Sequence, residues 1–177
     1  MNDEMKTASL DDDDGRSALD LEVFREVLST FPAGVVIVTA IGADGTPAGL
    51  TISAFCSVSA DPTLVLICID RGSNTLAAVR AAGSFTVNIL VEGREELAMR
   101  FASKRDDKFD GVSWRSPALA QGGPILDSDA ASYLVCKIDS EIEAGDHQIF
   151  IGEAVEAGVQ RTRLPLLYHN RGFASLA

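Results

Sequence analysis

The string Gly145-Asp146-His147 sets an imidazole at a glycine turn between two strand-like runs, where it could reach a bound ring or amide. A plain surface histidine has the same local sequence. Thr51 and Ser53 lie two apart in a strand-like run, which turns both hydroxyls to one face, toward a polar ring edge, and leaves Leu50 and Ile52 to the core. An ordinary half-exposed strand shows the same alternation, and Ser57 and Ser59 extend the hydroxyl cluster. Ser73-Asn74-Thr75 opens a helix-like run, where hydroxyls, backbone N–H groups and the positive helix end could hold a phosphate, or where Ser73 serves as a simple N-cap. Lys104, Arg105 and Lys108 gather charge between Phe101 and Phe109 in an otherwise acidic chain, as a diphosphate site requires and as a solvated loop also allows. Trp114 and Phe109 could cover a cofactor or anchor a long loop to the core. Cys56 has no flanking basic residue to lower its thiol pKa and is expected to be buried and inert.

Several chemistries are excluded by what the sequence lacks. It contains no Gly-x-Gly-x-x-Gly turn, no Gly-x-x-x-x-Gly-Lys-Ser/Thr loop, no Gly-x-Ser-x-Gly elbow, no Cys-x-x-Cys pair and no His-Glu-x-x-His helix. With only two histidines, His147 and His169, no metal site is expected. The reaction therefore has to borrow its chemistry from an organic cofactor. A net charge of -11, from 26 acidic and 15 basic residues, disfavours nucleic acid and anionic membrane surfaces as partners. The longest apolar runs, 35–38 and 64–69, fall far short of the ~20 residues of a membrane span. Cys56, Cys68 and Cys136 are odd in number and no secretory leader is recognised, so reduced thiols in a cytoplasm are expected.

The elements that would position these groups follow from periodicity. Residues 1–18, with four successive aspartates at 11–14, read as a disordered acidic tail, and 19–177 as one domain. Asp20 should cap a helix whose Leu21, Phe24, Leu28 and Phe31 share one face, laid on a core and stopped by Pro32 and Gly34. Strands are expected at 35–39, 50–54, 56–59, 64–69, 85–90, 133–143 and 148–155, with a last short one near Phe173, and Gly42-Ala43-Asp44-Gly45 makes the first hairpin turn. Short helices are expected after Ser73 and over 95–103, and 104–123 reads as a long loop. So many strands with three short helices imply a mainly β fold, a closed antiparallel β-barrel with peripheral helices.

In this order the pieces resemble the flavin reductase family of two-component monooxygenases, which share a flavin-binding split barrel. The matching strings are Phe24-Arg25, Phe31-Pro32-Ala33-Gly34-Val35, Gly49-Leu50-Thr51-Ile52-Ser53-Ala54-Phe55, Ser57-Val58-Ser59, Ser73-Asn74-Thr75, Phe85-Thr86-Val87-Asn88-Ile89-Leu90, Lys108-Phe109, Gly145-Asp146-His147, and Pro165-Leu166-Leu167-Tyr168 before Gly172-Phe173. The resemblance runs over residues 20–176. It implies that an isoalloxazine ring rests along Thr51, Ile52, Ser53, Ala54, Ser57, Val58 and Ser59. It further implies that Ser73, Asn74, Thr75 and the loop with Ser103, Arg105 and Lys108 meet the flavin phosphates. Phe101, Ala102, Phe109, Tyr168 and Arg171 complete the implied binding set, and His147 is the implied catalytic residue, positioning the nicotinamide, with a general-acid contribution as the alternative. The implied activity is hydride transfer from NADH to FAD, with NADPH and FMN as the alternatives. A homodimer would release reduced flavin by diffusion to a separate monooxygenase. A non-catalytic flavin carrier or sensor and a tight-FMN split-barrel oxidase are the rival readings.

Overall fold

The computed structural model describes residues 19–119 and 121–176; the acidic tail expected over 1–18 lies outside the described residues. Asp20 caps α1 (Leu21–Ser29), its carboxylate accepting the N–H groups of Glu22 at 2.7 Å and Val23 at 3.4 Å. The chain then runs through β1 (Ala33–Gly34), β2 (Val36–Ile41), β3 (Pro47–Ile52), β4 (Phe55–Ala60) and β5 (Thr63–Asp70) to α2 (Leu76–Ala82). Gly45 closes the β2–β3 turn at φ +81°, and Gly83 ends α2 at φ +60°, both in the region that favours glycine. There follow β6 (Ser84–Leu90), α3 (Glu95–Ala102), the long loop, then β7 (Ala130–Ala144), β8 (His147–Val159), β9 (Leu167–His169) and β10 (Gly172–Ala174).

Seven strands form one antiparallel sheet in the order β3-β2-β6-β7-β8-β5-β4, and β1, β9 and β10 form a small second sheet. The mainly β architecture matches the expectation. Full closure does not follow: β3 and β4 are the sheet's two ends, and no register joins them among the described residues. The sheet nevertheless curls, because Leu50 of β3 shares one buried cluster with Val65 and Ile67 of β5, near the opposite end of the strand order. Phe85 of β6 belongs to that cluster, and a Cβ on Gly152 of β8 would lie 2.7 Å from its ring.

A second core lies on the other side of β2, where Val35, Ile37, Leu90, Leu126 and Leu166 meet Ala98 and Phe101 of α3. The loop returning from α3 is stitched into the sheet by buried polar groups. Asn88 donates to the carbonyls of Ile37 and Pro124, both at 3.2 Å, and accepts the N–H of Leu126 at 2.8 Å. Thr39 donates to the Pro124 carbonyl at 2.7 Å, and Thr86 donates to the Gly123 carbonyl at 2.9 Å.

Two expectations are corrected here. The apolar face of α1 lies on no core: Leu21, Phe24 and Leu28 are exposed, as is Phe31, which lies beyond the helix end at 75% exposure. Helical periodicity shows that a face is apolar but not what covers it. Cys56 is exposed because β4 is an edge strand, and the buried thiol is Cys136 on the central β7.

Candidate functional site

A cleft of about 480 Å³, within the range of ligand pockets, opens where four elements converge. One wall is the end of β3 and its continuation, Leu50, Thr51, Ile52, Ser53 and Ala54. A second is the turn before α2, with Gly72, Ser73 and Asn74, and a third is the end of α3, with Phe101, Ala102, Ser103 and Lys104. His147, the first residue of β8, completes it beside Asp70, its cross-strand partner on β5.

The half-exposed His147 ring is oriented by its neighbour, Nδ1 lying 2.7 Å from Oδ1 of Asp146. That bond holds the Asp146 carboxyl below its ordinary range. The tip of the hairpin is pinned in turn by Arg71, whose N–H donates to the Asp146 carbonyl at 3.0 Å and whose guanidinium reaches Glu143 at 2.5 Å. The Asp146 bond occupies Nδ1 and leaves Nε2 as the ring nitrogen available to a ligand.

The hydroxyls of the first wall diverge in use. Thr51 donates to the Ala98 carbonyl of α3 at 2.7 Å, whereas Ser53 is exposed. Lys108 is 9% exposed, and its Nζ donates to the carbonyls of Gly49 at 3.0 Å and Phe101 at 3.1 Å. Burial pulls the ammonium's pKa down, and the charge of Asp106 offsets this only in part.

Twelve of the residues singled out from sequence thus line one cleft: Thr51, Ile52, Ser53, Ala54, Ser73, Asn74, Phe101, Ala102, Ser103, Lys104, Lys108 and His147. Others lie off it. Ser57, Val58 and Ser59 sit along β4, whose register with β5 shifts between Ser57 and Ser59. Thr75 is buried at 2% exposure as the cap residue of α2, while the Ser73 hydroxyl accepts the Thr75 N–H at 3.2 Å. Arg105 grips Asp107 with two bonds of 2.7 and 2.5 Å, and Phe109 packs edge-on against Phe101 at 4.9 Å. Tyr168 and Arg171 line a neighbouring hollow of about 560 Å³ with Arg25, Leu28 and Phe31; it joins the cleft at Ser53 and Ala54.

Asp70, Gly72 and Cys68 line the cleft without having been singled out as site residues. The Asp-x-Gly pattern was a usable signal for the first two, since the Asp70 carboxylate accepts the Gly72 N–H at 2.6 Å to form the turn. Exposed Trp114 does not line the cleft. Among the described residues, no group of His, Cys, Asp and Glu could hold a metal ion, and no helix is long and apolar enough to cross a membrane.

Comparison with known proteins decides the family. The family model of the flavin reductase like domain matches residues 28–177. The chain belongs to this family. Among flavin reductase relatives, it is 42% identical over 158 residues to the flavin reductase (NADH) of Kitasatospora aureofaciens, covering 88% of this chain and 82% of that one. It is 43% identical over 155 residues to the reductase component of a 4-nitrophenol 4-monooxygenase/4-nitrocatechol 2-monooxygenase from Rhodococcus opacus, with 88% and 80% coverage. The solved NADH:FAD oxidoreductase of Streptomyces globisporus, in complex with NAD and FAD fragments, superposes with a TM-score of 0.83 at 35% identity, over 89% of this chain and 93% of that one. The flavin reductase like domain thus spans the cleft and all four elements that build it.

Proposed function

We propose that this chain is an NAD(P)H:flavin oxidoreductase that uses NADH to reduce FAD, with NADPH and FMN as the alternatives. The reduced flavin then diffuses to a separate monooxygenase. The observation that carries the reading is the placing of His147, held by Asp146 and Arg71, across one cleft from the β3 wall and the Ser73-Asn74 turn. The chemistry is a hydride transfer from nicotinamide to flavin, for which the protein has to align two rings and needs no strong base.

The residues fit such a pair of ligands. The end of edge strand β3 and the bend that follows it, Thr51 to Ala54, offer main-chain groups along one wall, and exposed Ser53 and Asn74 supply side-chain hydrogen-bonding groups. Exposed Lys104 stands at the cleft with its charge available for a phosphate. His147 presents Nε2 to the carboxamide of the nicotinamide and acts as a positioning group. Ser57, Val58, Ser59, Thr75, Arg105 and Phe109 lie off the cleft, and Tyr168 and Arg171 serve the adjoining hollow.

The exposed face of α1, with Leu21, Phe24, Leu28 and Phe31, supports a homodimer in which a second copy covers it. The shared cluster of Leu50 with Val65 supports reading the curled sheet as a split barrel closed by packing; one domain over 19–177 and a place in the cytoplasm rest on the sequence, the location on its unpaired cysteines.

A spectrophotometric assay at about 340 nm, with each nucleotide against FAD, FMN and riboflavin, tests the activity. Flavin-dependent nucleotide oxidation is expected. Flavin binding without oxidation in any combination would replace the reductase with a carrier.

A further inference from the structure

We infer that Lys108 is a positioning residue, whose ammonium ties the β3 wall of the cleft to the end of α3 and so sets the width of the ring-binding end. The inference deepens the flavin reading above and gives Lys108 a task other than meeting a phosphate.

An ammonium taken out of water is costly unless its protons find partners. Lys108 is 9% exposed, and among the described residues no carboxylate pairs with it. Two of its three protons go to main-chain carbonyls, at 3.0 Å on Gly49 and 3.1 Å on Phe101. The Phe101 carbonyl belongs to the last turn of α3, where carbonyls lack partners within the helix and a cation is favourable. Gly49 lies on β3, immediately before the five residues that form the first wall.

The same two elements meet at two further points. Thr51 donates to the Ala98 carbonyl at 2.7 Å, and the Phe101 ring packs so closely on Gly49 that a Cβ there would lie 2.8 Å from it. Packing at Gly49 stops β3 and α3 from approaching, and the Lys108 and Thr51 bonds stop them from parting. Phe109, edge-on to Phe101 at 4.9 Å, anchors the backbone from which Lys108 reaches in. An ammonium committed in this way is a poor phosphate ligand, while exposed Lys104 is free for that task.

Titrating riboflavin, FMN and FAD into the full chain by flavin fluorescence separates the two roles, because riboflavin has no phosphate. Lys108→Met is expected to weaken all three by a similar factor, about tenfold, with the KM for NADH unchanged at saturating flavin. Lys104→Met is expected to weaken FMN and FAD and spare riboflavin. A Lys108→Met loss confined to FMN and FAD, or no loss at all, overturns the inference. Should Lys108→Met not fold, Thr51→Val cuts the second tie and should give the same uniform loss at a smaller factor; unaltered affinities would again overturn it. Hydrogen exchange of the ligand-free protein tests the tie without flavin: the amides of 50–54 should exchange faster in the variants than in the wild type, and equal rates refute the clamp. A wild type that binds no flavin but shows this change in exchange overturns the functional reading alone.

Discussion

Replacing His147 with alanine removes the cleft's imidazole and leaves Asp146 without its 2.7 Å partner. Asp146 is 89% exposed in its side chain, so water takes over the lost bond and the fold should hardly respond. Thermal unfolding is expected to stay within about 2 °C of the wild type. What disappears is one hydrogen bond from Nε2 to the nucleotide, of about 0.5–1.5 kcal/mol for a neutral pair, which corresponds to roughly a 2- to 12-fold fall in kcat/KM for NADH. Because the ring positions a ligand and moves no proton, most of the change should appear in KM. Steady-state oxidation of NADH at saturating flavin, followed across a range of nucleotide concentrations, measures both constants. His147→Gln, which keeps a polar group at a similar reach, should recover part of the loss. Unaltered kcat and KM in His147→Ala would refute the positioning role, and a loss of thousands-fold in kcat alone would show that His147 acts on a proton instead.

Three other outcomes follow from the packing. Asn88→Leu leaves the buried N–H of Leu126 without its 2.8 Å acceptor and removes the donors to Ile37 and Pro124, so urea unfolding should show a loss of about 2–4 kcal/mol at an unchanged m value. Burial pushes the Cys136 thiol up from 9.0 to about 12. The folded state therefore keeps that proton where the unfolded chain loses it, and the wild type's stability relative to Cys136→Ala should fall as pH rises from 9.0 toward about 12. Leu28→Asp together with Phe31→Asp should convert the proposed dimer to monomer in sedimentation analysis, while a monomeric wild type would remove the role proposed for the α1 face.

Much of the scaffold was legible because local chemistry decides it. The turn at Gly42-Ala43-Asp44-Gly45 formed as read, with the Asp44 carboxylate accepting both the N–H and the hydroxyl of Thr46. Asp20 and Gly83 ended their helices for equally local reasons. Destinations set by distant parts of the chain were not legible. A basic cluster was visible at Lys104, Arg105 and Lys108, yet only the fold turns Lys108 inward onto two carbonyls and leaves Lys104 at the cleft, while Arg105 is taken up locally by Asp107 two residues on. Ser57 and Ser59 look like a continuation of the Thr51-Ser53 alternation, but they belong to the opposite end of the sheet order, and a register shift falls between them. The exposure of Cys56 depends on β4 being an edge, which no local pattern around the residue announces.

The burial of β2 on both faces bears on how the chain finds its alignment. A strand with one wet face cannot slip by a residue without turning its apolar set outward. Here that safeguard is weak, since Val36 and Val38 pack in one core and neighbouring Val35 and Ile37 in the other, and a slip would exchange one β-branched set for the other. The alignment of β2 with β3 and β6 must be specified by something less forgiving than hydrophobicity. Thr39 is that point: it is the polar member of the strand, and its hydroxyl donates to the Pro124 carbonyl at 2.7 Å while accepting from the Asn88 amide at 3.4 Å. Gly123 presses so close that a Cβ would stand 2.3 Å from the Ala40 nitrogen, so the neighbouring position admits no displaced side chain. The returning loop, remote in sequence and without regular structure, thus works as an index mark against which the central strand is read.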